Sequence, residues 1–373
     1  MTRTAIVVGA TSYVGGFVLQ ELLASGYDVI AVTRRPDLAQ VLLGDQAART
    51  RIVASDRAVR EAGTEARVVM NLAYVKTVAP QHARAENRRL VELVDGLATA
   101  TRCPHVIHAS TLAVFGVPLR ARPRPVAVPR RRDDLYVDLK SQAEAWLRDL
   151  AQRSGYQLSI VRLGNVIGPG SPTWVAALAQ RLLEGKPLGW AGRYGPSNAT
   201  YAANIGHYFR HLAERPADGL ARFGRYHHLS EFAAHSWDDV VTALERAVGI
   251  ARVSAAPDRA ERASRPARLV AALRRVYAGR AGSYARVALH RLPGWLGVDG
   301  LLARAKATRD LGATVRRAPL AAGDAALCDF LAGDVGAPAH VLPDWTPAVP
   351  FAAALEEIRR WLDAAGFVVA RDA

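Results

Sequence analysis

Two side chains with complementary acid–base chemistry lie four residues apart in this sequence. Tyr136 and Lys140 stand near the start of a stretch whose apolar residues recur at helical spacing up to Leu150. Residues four apart share one face of a helix, so the phenol and the ammonium should be stacked one turn apart. A nearby cation should lower the pKa of Tyr136 from about 10 toward neutral pH. Such a pair could transfer a proton; the alternative interpretation is an ordinary surface pair.

Two hydroxyl side chains come just before this stretch. Ser110 and Thr111 follow an apolar run from His105 to Ala109 that is typical of a buried strand. Ligands in open α/β sheets bind at the carboxyl ends of the strands. Either hydroxyl could therefore hold a substrate oxygen beside the phenol.

A glycine-rich turn follows the first predicted strand. Residues 4–8 are apolar and β-branched, and a stretch with helical spacing begins at Phe17. A strand, a glycine turn and a helix together form the usual setting in which a helix N-terminus binds a pyrophosphate. The spacing fits the pattern Gly-x-x-Gly-x-x-Gly, in which Ser12 takes the place of the middle glycine. We predict cofactor contacts from Gly9, Thr11, Ser12, Tyr13, Val14 and Gly15.

The end of the second predicted strand bears on the choice of cofactor. An acidic residue at this position would bind the adenosine ribose of NAD. Here the strand ends at Thr33, followed by Arg34 and Arg35. A hydroxyl and two guanidinium groups suit a 2′-phosphate, so the residues favour NADP(H), with NAD(H) as the alternative.

Further cofactor contacts are predicted where the next two strands end. The Asp56 carboxylate, beside Arg57, could accept a hydrogen bond from the adenine amino group. Leu72 and Ala73 end the fourth predicted strand and should face the cofactor. Asn87 lies within the helix that follows, either as an exposed polar residue or with a role in the active site.

The order of elements predicts the fold class. Strands alternate with helices through the sixth predicted strand, which indicates a Rossmann-type doubly wound parallel sheet in an α/β protein. Residues 1–170 are predicted to form the dinucleotide-binding core, and residues 171–373 a smaller, mostly helical substrate-binding lobe. A strand near residues 225–230 is expected to return to the core sheet.

The formal net charge of +15 arises from two segments. Residues 117–134 have a net charge of +4 and residues 252–317 a net charge of +11. One interpretation is attraction of an anionic substrate or surface; the other is an arginine- and alanine-rich composition spread over solvated loops. Nucleic acid is not expected as a partner, because the basic segments lack the interleaved aromatic residues of a binding groove.

The remaining composition argues for a reducing compartment. No apolar run reaches the roughly 18 residues of a membrane-spanning helix, and the N-terminus leaves no room for a signal peptide. Cys103 and Cys328 form neither a disulfide framework nor a zinc site, so no metal is expected. We predict a cytoplasmic protein acting on a small-molecule substrate, with a homodimer as one option.

Taken together, the motifs resemble the extended short-chain dehydrogenases/reductases, also called the NAD-dependent epimerase/dehydratase family. The resemblance covers residues 4–249 and 344–361. Its motifs are the glycine turn, Asn71-Leu72-Ala73, Ser110-Thr111 with Val114-Phe115-Gly116, the Tyr136/Lys140 pair, the run from Arg162 to Gly170, and Trp345-Thr346-Pro347.

The resemblance implies specific roles. Tyr136 would be the acid/base, Lys140 would bind the nicotinamide ribose, and Thr111 would orient the substrate oxygen, which makes these three the catalytic residues. Leu163, Asn165 and Val166 would lie near the nicotinamide. The residues predicted to bind substrate are Tyr74, Ser110, Thr111 and Asn165.

Two features depart from the family pattern. Ser197 and Asn198 stand where nucleotide-sugar members place an Arg-Asp pair, and an insertion at about residues 252–338 has no family counterpart. The insertion contains an apolar turn at residues 292–296, which could be a substrate lid, a partner interface or a membrane-surface patch.

Three functional hypotheses follow. The first is an NADP(H)-dependent oxidoreductase that interconverts a carbonyl and a secondary alcohol. The second is a redox-neutral epimerase or dehydratase with a tightly bound cofactor, and the third is a cofactor-sensing protein without turnover.

Overall fold

The computed structural model describes residues 3–63, 65–75, 80–128, 134–216, 219–220, 225–255 and 322–367. Most of the predicted insertion, including its apolar turn at residues 292–296, lies outside the described residues. The same is true of the arginines at positions 130–132 in the first basic segment.

A seven-stranded parallel sheet forms the centre of the protein. Its strands are β1 Thr4–Val8, β2 Asp28–Thr33, β3 Thr50–Ala54, β4 Val68–Asn71, β5 His105–Thr111, β6 Gln157–Leu163 and β10 Tyr226–Leu229, in the spatial order β3-β2-β1-β4-β5-β6-β10. The order reverses direction between β1 and β4, which creates a crevice at the carboxyl edge where ligands bind in such sheets. The predicted Rossmann-type fold is confirmed.

Helices connect the strands and cover both faces of the sheet. They are α1 Tyr13–Ala24, α2 Pro36–Leu43, α3 Ala58–Glu61, α4 Pro80–Ala100, α5 Leu135–Ser154, α6 Ala177–Leu183, α7 Ala202–Glu214, α8 Trp237–Val248, α9 Ala322–Gly333 and α10 Phe351–Ala364. Within the described residues, no helix combines the length and the apolar character needed to span a membrane.

Alternate residues of each strand supply two separate cores. In β1, Val7 packs with residues of α1 and α7, whereas Ile6 packs with residues of α4 and α5. Successive side chains of a strand point to opposite faces, so a strand covered on both sides must be apolar throughout. The uninterrupted apolar run of β1 is therefore required by its central position.

The C-terminal half of the chain contributes a third core. Two short parallel pairs, β7 (Asn165–Ile167) with β9 (Ala199–Tyr201) and β8 (Pro187–Trp190) with β11 (Val253–Ala255), pack with helices α6, α8, α9 and α10. Strand β10 comes from this half but pairs with β6 in the main sheet. The division into a core and a lobe at residue 170 stays a prediction.

Candidate active site

The glycine turn brings the end of β1 into close contact with the end of β4. Gly9 has a φ of +93°, and a Cβ atom there would lie 2.7 Å from the Ala73 nitrogen. A Cβ atom on Gly15 would lie 2.2 Å from the Gly9 carbonyl oxygen. Only glycine fits at either position. The turn is thus tightly packed against its own backbone and against the end of β4; its contact with a dinucleotide stays a prediction.

Ser12 has a structural role in this turn. It is the N-cap of α1, and its hydroxyl accepts a hydrogen bond from the Gly15 nitrogen at 3.1 Å. Serine is among the preferred N-cap residues because its side chain satisfies a free backbone N–H. The substitution of the middle glycine therefore stabilises the start of the helix whose N-terminus faces the crevice.

The predicted adenosine-side residues lie at the ends of β2 and β3. The Thr33 hydroxyl accepts a hydrogen bond from the Arg35 nitrogen at 3.2 Å. The side chains of Arg34 and Arg35 are exposed, and neither forms an ion pair with another described residue. Asp56 and Arg57 are exposed as well, and Arg57 pairs with Glu61 at 3.5 Å. The guanidinium groups of Arg34 and Arg35, just after β2, are thus available to bind an anion.

Asn87 is not an exposed polar residue, which was one of its two predicted roles, and it lines a small pocket together with Tyr74 and Lys140. It is 4% exposed, and its side-chain oxygen accepts a hydrogen bond from the Val75 nitrogen at 3.1 Å. Its side-chain nitrogen donates to the carbonyls of Val75 and Ala83 at 3.0 and 2.8 Å. Asn87 therefore ties α4 to the segment that follows β4, next to Tyr74.

The end of β5 and the start of α5 bring Thr111 and Tyr136 together. Asp134 is the N-cap of α5, and its carboxylate accepts a hydrogen bond from the Val137 nitrogen at 3.1 Å. This cap starts the helix one residue before Tyr136. The Thr111 side chain lies close enough to the Tyr136 hydroxyl to lower its pKa, and both residues line one cavity. The hydroxyl and the phenol predicted to hold a substrate oxygen are thus near each other.

Lys140 lies below Tyr136 and is buried. Its ammonium group donates a hydrogen bond to the Ala109 carbonyl at 3.0 Å and lies 5.6 Å from the centre of the Tyr74 ring. The Tyr74 ring packs edge-on against the ring of Tyr136, with 5.2 Å between their centres. Burial lowers the pKa of Lys140, and the nearby Glu144 carboxylate offsets part of this effect, so that the pKa is about 8. Tyr74 thus contacts both members of the predicted proton-transfer pair.

The pKa of Tyr136 does not shift in the direction predicted from the sequence. Desolvation raises it, the nearby Thr111 side chain lowers it, and the charge of Asp134 raises it further. The prediction considered only the ammonium group four residues away, and that group is engaged with the Ala109 carbonyl. At neutral pH the protein therefore holds Tyr136 as a phenol, the form that can donate a proton to a carbonyl oxygen.

Ser110 faces away from Thr111, into a buried charge network. Its hydroxyl donates to a Glu144 carboxylate oxygen at 2.5 Å. Glu144 also accepts two hydrogen bonds from Arg162, at 3.0 and 2.7 Å, and both partners of this ion pair are almost fully buried. Successive residues of a strand point to opposite sides, so Ser110 and Thr111 cannot both face the substrate. The position of Ser110 gives no support to its predicted substrate contact.

A large cavity opens above Thr111 and Tyr136. Its volume is about 1060 Å³, at the upper end of the range for small-molecule sites. Tyr13 and Val14 of the glycine turn line one part, and Leu163, Asn165 and Val166 line the floor. The predicted nicotinamide-side residues therefore share one cavity with the predicted acid/base. The Asn165 side chain also donates to the Ser197 carbonyl at 2.6 Å.

The sequence from residue 5 to residue 200 matches the family model described as the NAD dependent epimerase/dehydratase family. This match spans more than half of the chain. The protein belongs to this epimerase/dehydratase family. The resemblance to extended short-chain dehydrogenases/reductases, stated from the motifs, is thereby confirmed.

Solved structures with the same fold include several sugar-nucleotide epimerases. The UDP-glucose 4-epimerase of Thermotoga maritima with UDP-glucose has a TM-score of 0.62 at 14% identity, covering 97% of this chain and 99% of that chain. The Bacillus cereus UDP-glucuronic acid 4-epimerase with UDP-glucuronic acid and NAD has a TM-score of 0.53 at 18% identity, covering 68% and 85%. The Thermus thermophilus UDP-glucose 4-epimerase with NAD has a TM-score of 0.54 at 20% identity, covering 69% and 88%. No curated protein matches the sequence significantly.

Several residues around the active site of this family member were not identified from its sequence. Asp134 could have been found, because an aspartate directly before an amphipathic helix is a typical N-cap. Glu144 could also have been found, because it stands four residues after Lys140 and therefore lies on the same face of the helix. Trp174, Phe330 and Asp334 line the cavity from distant parts of the chain, and no local pattern marks them.

Proposed function

We propose that this protein is an NAD(P)(H)-dependent oxidoreductase that interconverts a carbonyl and a secondary alcohol, with Tyr136 as the acid/base. The observation that carries the proposal is that Thr111 and Tyr136 lie close together in the lining of one cavity that also reaches Tyr13 and Val14 of the glycine turn. An acid/base residue must be within hydrogen-bond reach of the substrate atom it serves. A substrate oxygen placed between these two hydroxyls meets that condition.

The glycine turn and the cavity fit a dinucleotide cofactor. Gly9 and Gly15 leave no room for side chains where the backbone would contact a pyrophosphate. Leu163 and Val166, which line the cavity, would lie beside the nicotinamide, and Lys140 would bind the ribose. When bound, the cofactor accepts or supplies a hydride at the substrate carbon.

The residues of the chain divide the remaining work. Thr111 donates a hydrogen bond that orients the substrate oxygen, and Tyr136 donates its hydroxyl proton to that oxygen in the reductive direction. In the oxidative direction Tyr136 takes the proton back. The buried charge of Lys140 favours the phenolate at that stage, whereas Asp134 opposes it.

A redox-neutral sugar-nucleotide epimerase is the second candidate, and the structural neighbours favour it. The Thermotoga maritima enzyme, solved with UDP-glucose, is covered over 99% of its length. The residues in place of the family's Arg-Asp pair argue against it. Ser197 is 0% exposed and Asn198 2% exposed, and Asn198 donates to Asp334 and Val335 at 3.3 and 3.0 Å. Neither side chain is free to bind a diphosphate.

One assay separates the two candidates. The protein is incubated with stoichiometric NADPH or NADH and with panels of ketones and of UDP-sugars, and absorbance at the reduced-nicotinamide band is followed together with product analysis. We expect steady consumption of the reduced cofactor with a ketone. Conversion of a UDP-sugar without any net absorbance change would instead assign the protein as an epimerase. Cofactor binding with no turnover of either panel would favour a sensor.

The protein should bind NADPH more tightly than NADH. Arg34 and Arg35 are exposed and unpaired among the described residues, so a 2′-phosphate can form charge-assisted hydrogen bonds with them. A contact of this type contributes about 1 to 3 kcal/mol, roughly a 5- to 150-fold difference in Kd. Fluorescence titration with both cofactors measures the difference.

Two variants test the origin of this preference. Arg34→Ala should remove most of it by weakening NADPH binding alone. Arg89→Ala, which removes an exposed arginine on α4 paired with Glu86 at 2.6 Å, is the matched control and should leave both affinities unchanged. Equal affinity of the unmodified protein for NADPH and NADH, or tighter binding of NADH, would contradict the prediction.

The cytoplasmic location and the homodimer stay predictions. Size-exclusion chromatography with light scattering would determine the oligomeric state.

A further inference from the structure

An aromatic cluster, here called the aromatic wall, forms part of the cavity lining. Trp174 and Phe330 stack with their ring centres 5.0 Å apart and their planes at 17°. Trp237, which is fully buried, packs behind Trp174 at 4.8 Å. Trp174 and Phe330 both line the cavity and are partly exposed. A flat apolar surface of this kind binds rings by burial and stacking.

Helix α9 holds this wall in place. Its residues Ala326 and Phe330 are four apart and both face the cavity. Elsewhere on the helix, Asp324 pairs with Arg181 at 2.7 Å, and Asp329 accepts a hydrogen bond from the Trp190 ring nitrogen at 3.0 Å. The wall is therefore preformed, so a ligand does not need to order it on binding.

The charged side chains of the described cavity wall are both acidic. Asp134 caps α5, and Asp334 accepts hydrogen bonds from the nitrogens of Leu119 and Asn198 at 2.7 and 3.3 Å. No lysine or arginine is among the described residues that line the cavity. Burial raises the pKa of Asp334, while the hydrogen bonds from Leu119 and Asn198 and the charge of Arg120 lower it; Arg120 itself does not line the cavity. An anionic group in this space would meet like charges at reduced dielectric.

We infer that the substrate is an uncharged molecule with an aromatic or alicyclic ring, which packs against Trp174 and Phe330 while its carbonyl or hydroxyl group binds Thr111 and Tyr136. This inference rests on the proposed oxidoreductase function and specifies its substrate class. This substrate differs from the anionic one suggested by the positive net charge. The charged side chains of the described cavity wall are acidic, and they would repel an anion.

Binding of three probes to the full-length protein tests the inference. The protein is saturated with the oxidised cofactor, so that an added ketone binds without reacting. Calorimetry then compares 4-phenyl-2-butanone, the same ketone with a carboxylate on the ring, and UDP-glucose. We expect the neutral ketone to bind at least about tenfold more tightly than the carboxylated one, and UDP-glucose to bind more weakly than the neutral ketone. Equal or tighter binding of either anion, or no binding of the neutral ketone at millimolar concentration, would overturn the inference.

Matched variants localise the effect. Phe330→Ala should raise the Kd for the neutral ketone about tenfold or more, because a buried phenyl contact is lost. Phe367→Ala removes a partly buried phenyl group that packs on Trp361, outside the cavity lining, and should change the Kd less than twofold. Asp134→Asn keeps an N-cap side chain but removes its charge, so the carboxylated ketone should bind at least about threefold more tightly. Equal responses to Phe330→Ala and Phe367→Ala would rule out the aromatic wall as the binding surface.

The substrate class and the proposed function can fail separately. Tyr136→Phe keeps the ring and should still bind the neutral ketone. If Phe330→Ala releases the ketone but Tyr136→Phe reacts at the unmodified rate, the substrate class is right and the acid/base assignment is wrong. If Tyr136→Phe abolishes hydride transfer but the carboxylated ketone binds best, the acid/base assignment is right and the substrate class is wrong.

Discussion

Replacing Tyr136 by phenylalanine should lower the rate of hydride transfer by about a hundred- to ten-thousand-fold, the usual contribution of a general acid/base. The substitution removes the hydroxyl near Thr111 but keeps the ring that packs against Tyr74 at 5.2 Å. The shape of the site is therefore retained, and cofactor affinity should change less than about twofold. Single-turnover absorbance measurements with the reduced cofactor and a ketone substrate would measure the rate.

Tyr74→Phe is the matched control for this experiment. It removes a second phenol hydroxyl from the immediate neighbourhood of Lys140 while keeping the ring contact. Because Tyr74 does not line the main cavity, its hydroxyl should not be the proton donor, and the rate should stay within about tenfold. If Tyr136→Phe kept most of the activity, or if Tyr74→Phe had the larger effect, the acid/base assignment would be wrong.

Replacing Glu144 by glutamine should lower the free energy of unfolding by about 3 to 5 kcal/mol. Arg162 is 0% exposed and donates two hydrogen bonds to the Glu144 carboxylate at 3.0 and 2.7 Å, besides one to the Val126 carbonyl at 2.9 Å. The variant leaves a buried guanidinium without its counter-ion, and the Ser110 hydroxyl loses a charged acceptor. The rings of Phe115 and Tyr226, 4.9 and 4.5 Å from the guanidinium carbon, cannot replace a carboxylate.

A surface ion pair provides the control for this prediction. Glu92 pairs with Arg88 at 2.9 Å on α4, and both side chains are more than half exposed. Glu92→Gln removes the same charge by the same change, but solvent screens the pair, so the loss should be below about 1 kcal/mol. Urea denaturation of both variants measures the difference. Similar losses for the two variants would mean that the buried pair is not the strong interaction described here.

Local sequence patterns were enough to predict the main sheet and the local arrangement of the candidate site residues. The uninterrupted apolar run of β1 predicts a strand covered on both faces, and the glycine spacing at Gly9 and Gly15 predicts a turn with no space for side chains. The four-residue separation of Tyr136 and Lys140 predicts a shared helix face. Each of these signals is local, because a strand or helix period and a backbone clash involve residues close together in the chain.

Only the tertiary structure decided which of these residues meet. Ser110 and Thr111 are adjacent in sequence, yet one contacts Glu144 and the other Tyr136, because the strand sends them to opposite sides. The direction of the Tyr136 pKa shift likewise depends on desolvation, which is a property of everything packed around the phenol.

The substrate side of the cavity depends entirely on contacts between distant segments. Phe330 reaches Trp174 across more than 150 residues, and Asn198 donates a hydrogen bond to Asp334 across a similar separation. The stacking of two rings and the sign of the charge around them arise only when such segments pack together. No periodicity in the sequence predicts these contacts, because the free energy of burial depends on the partners that a side chain contacts in the fold and not on its neighbours in sequence.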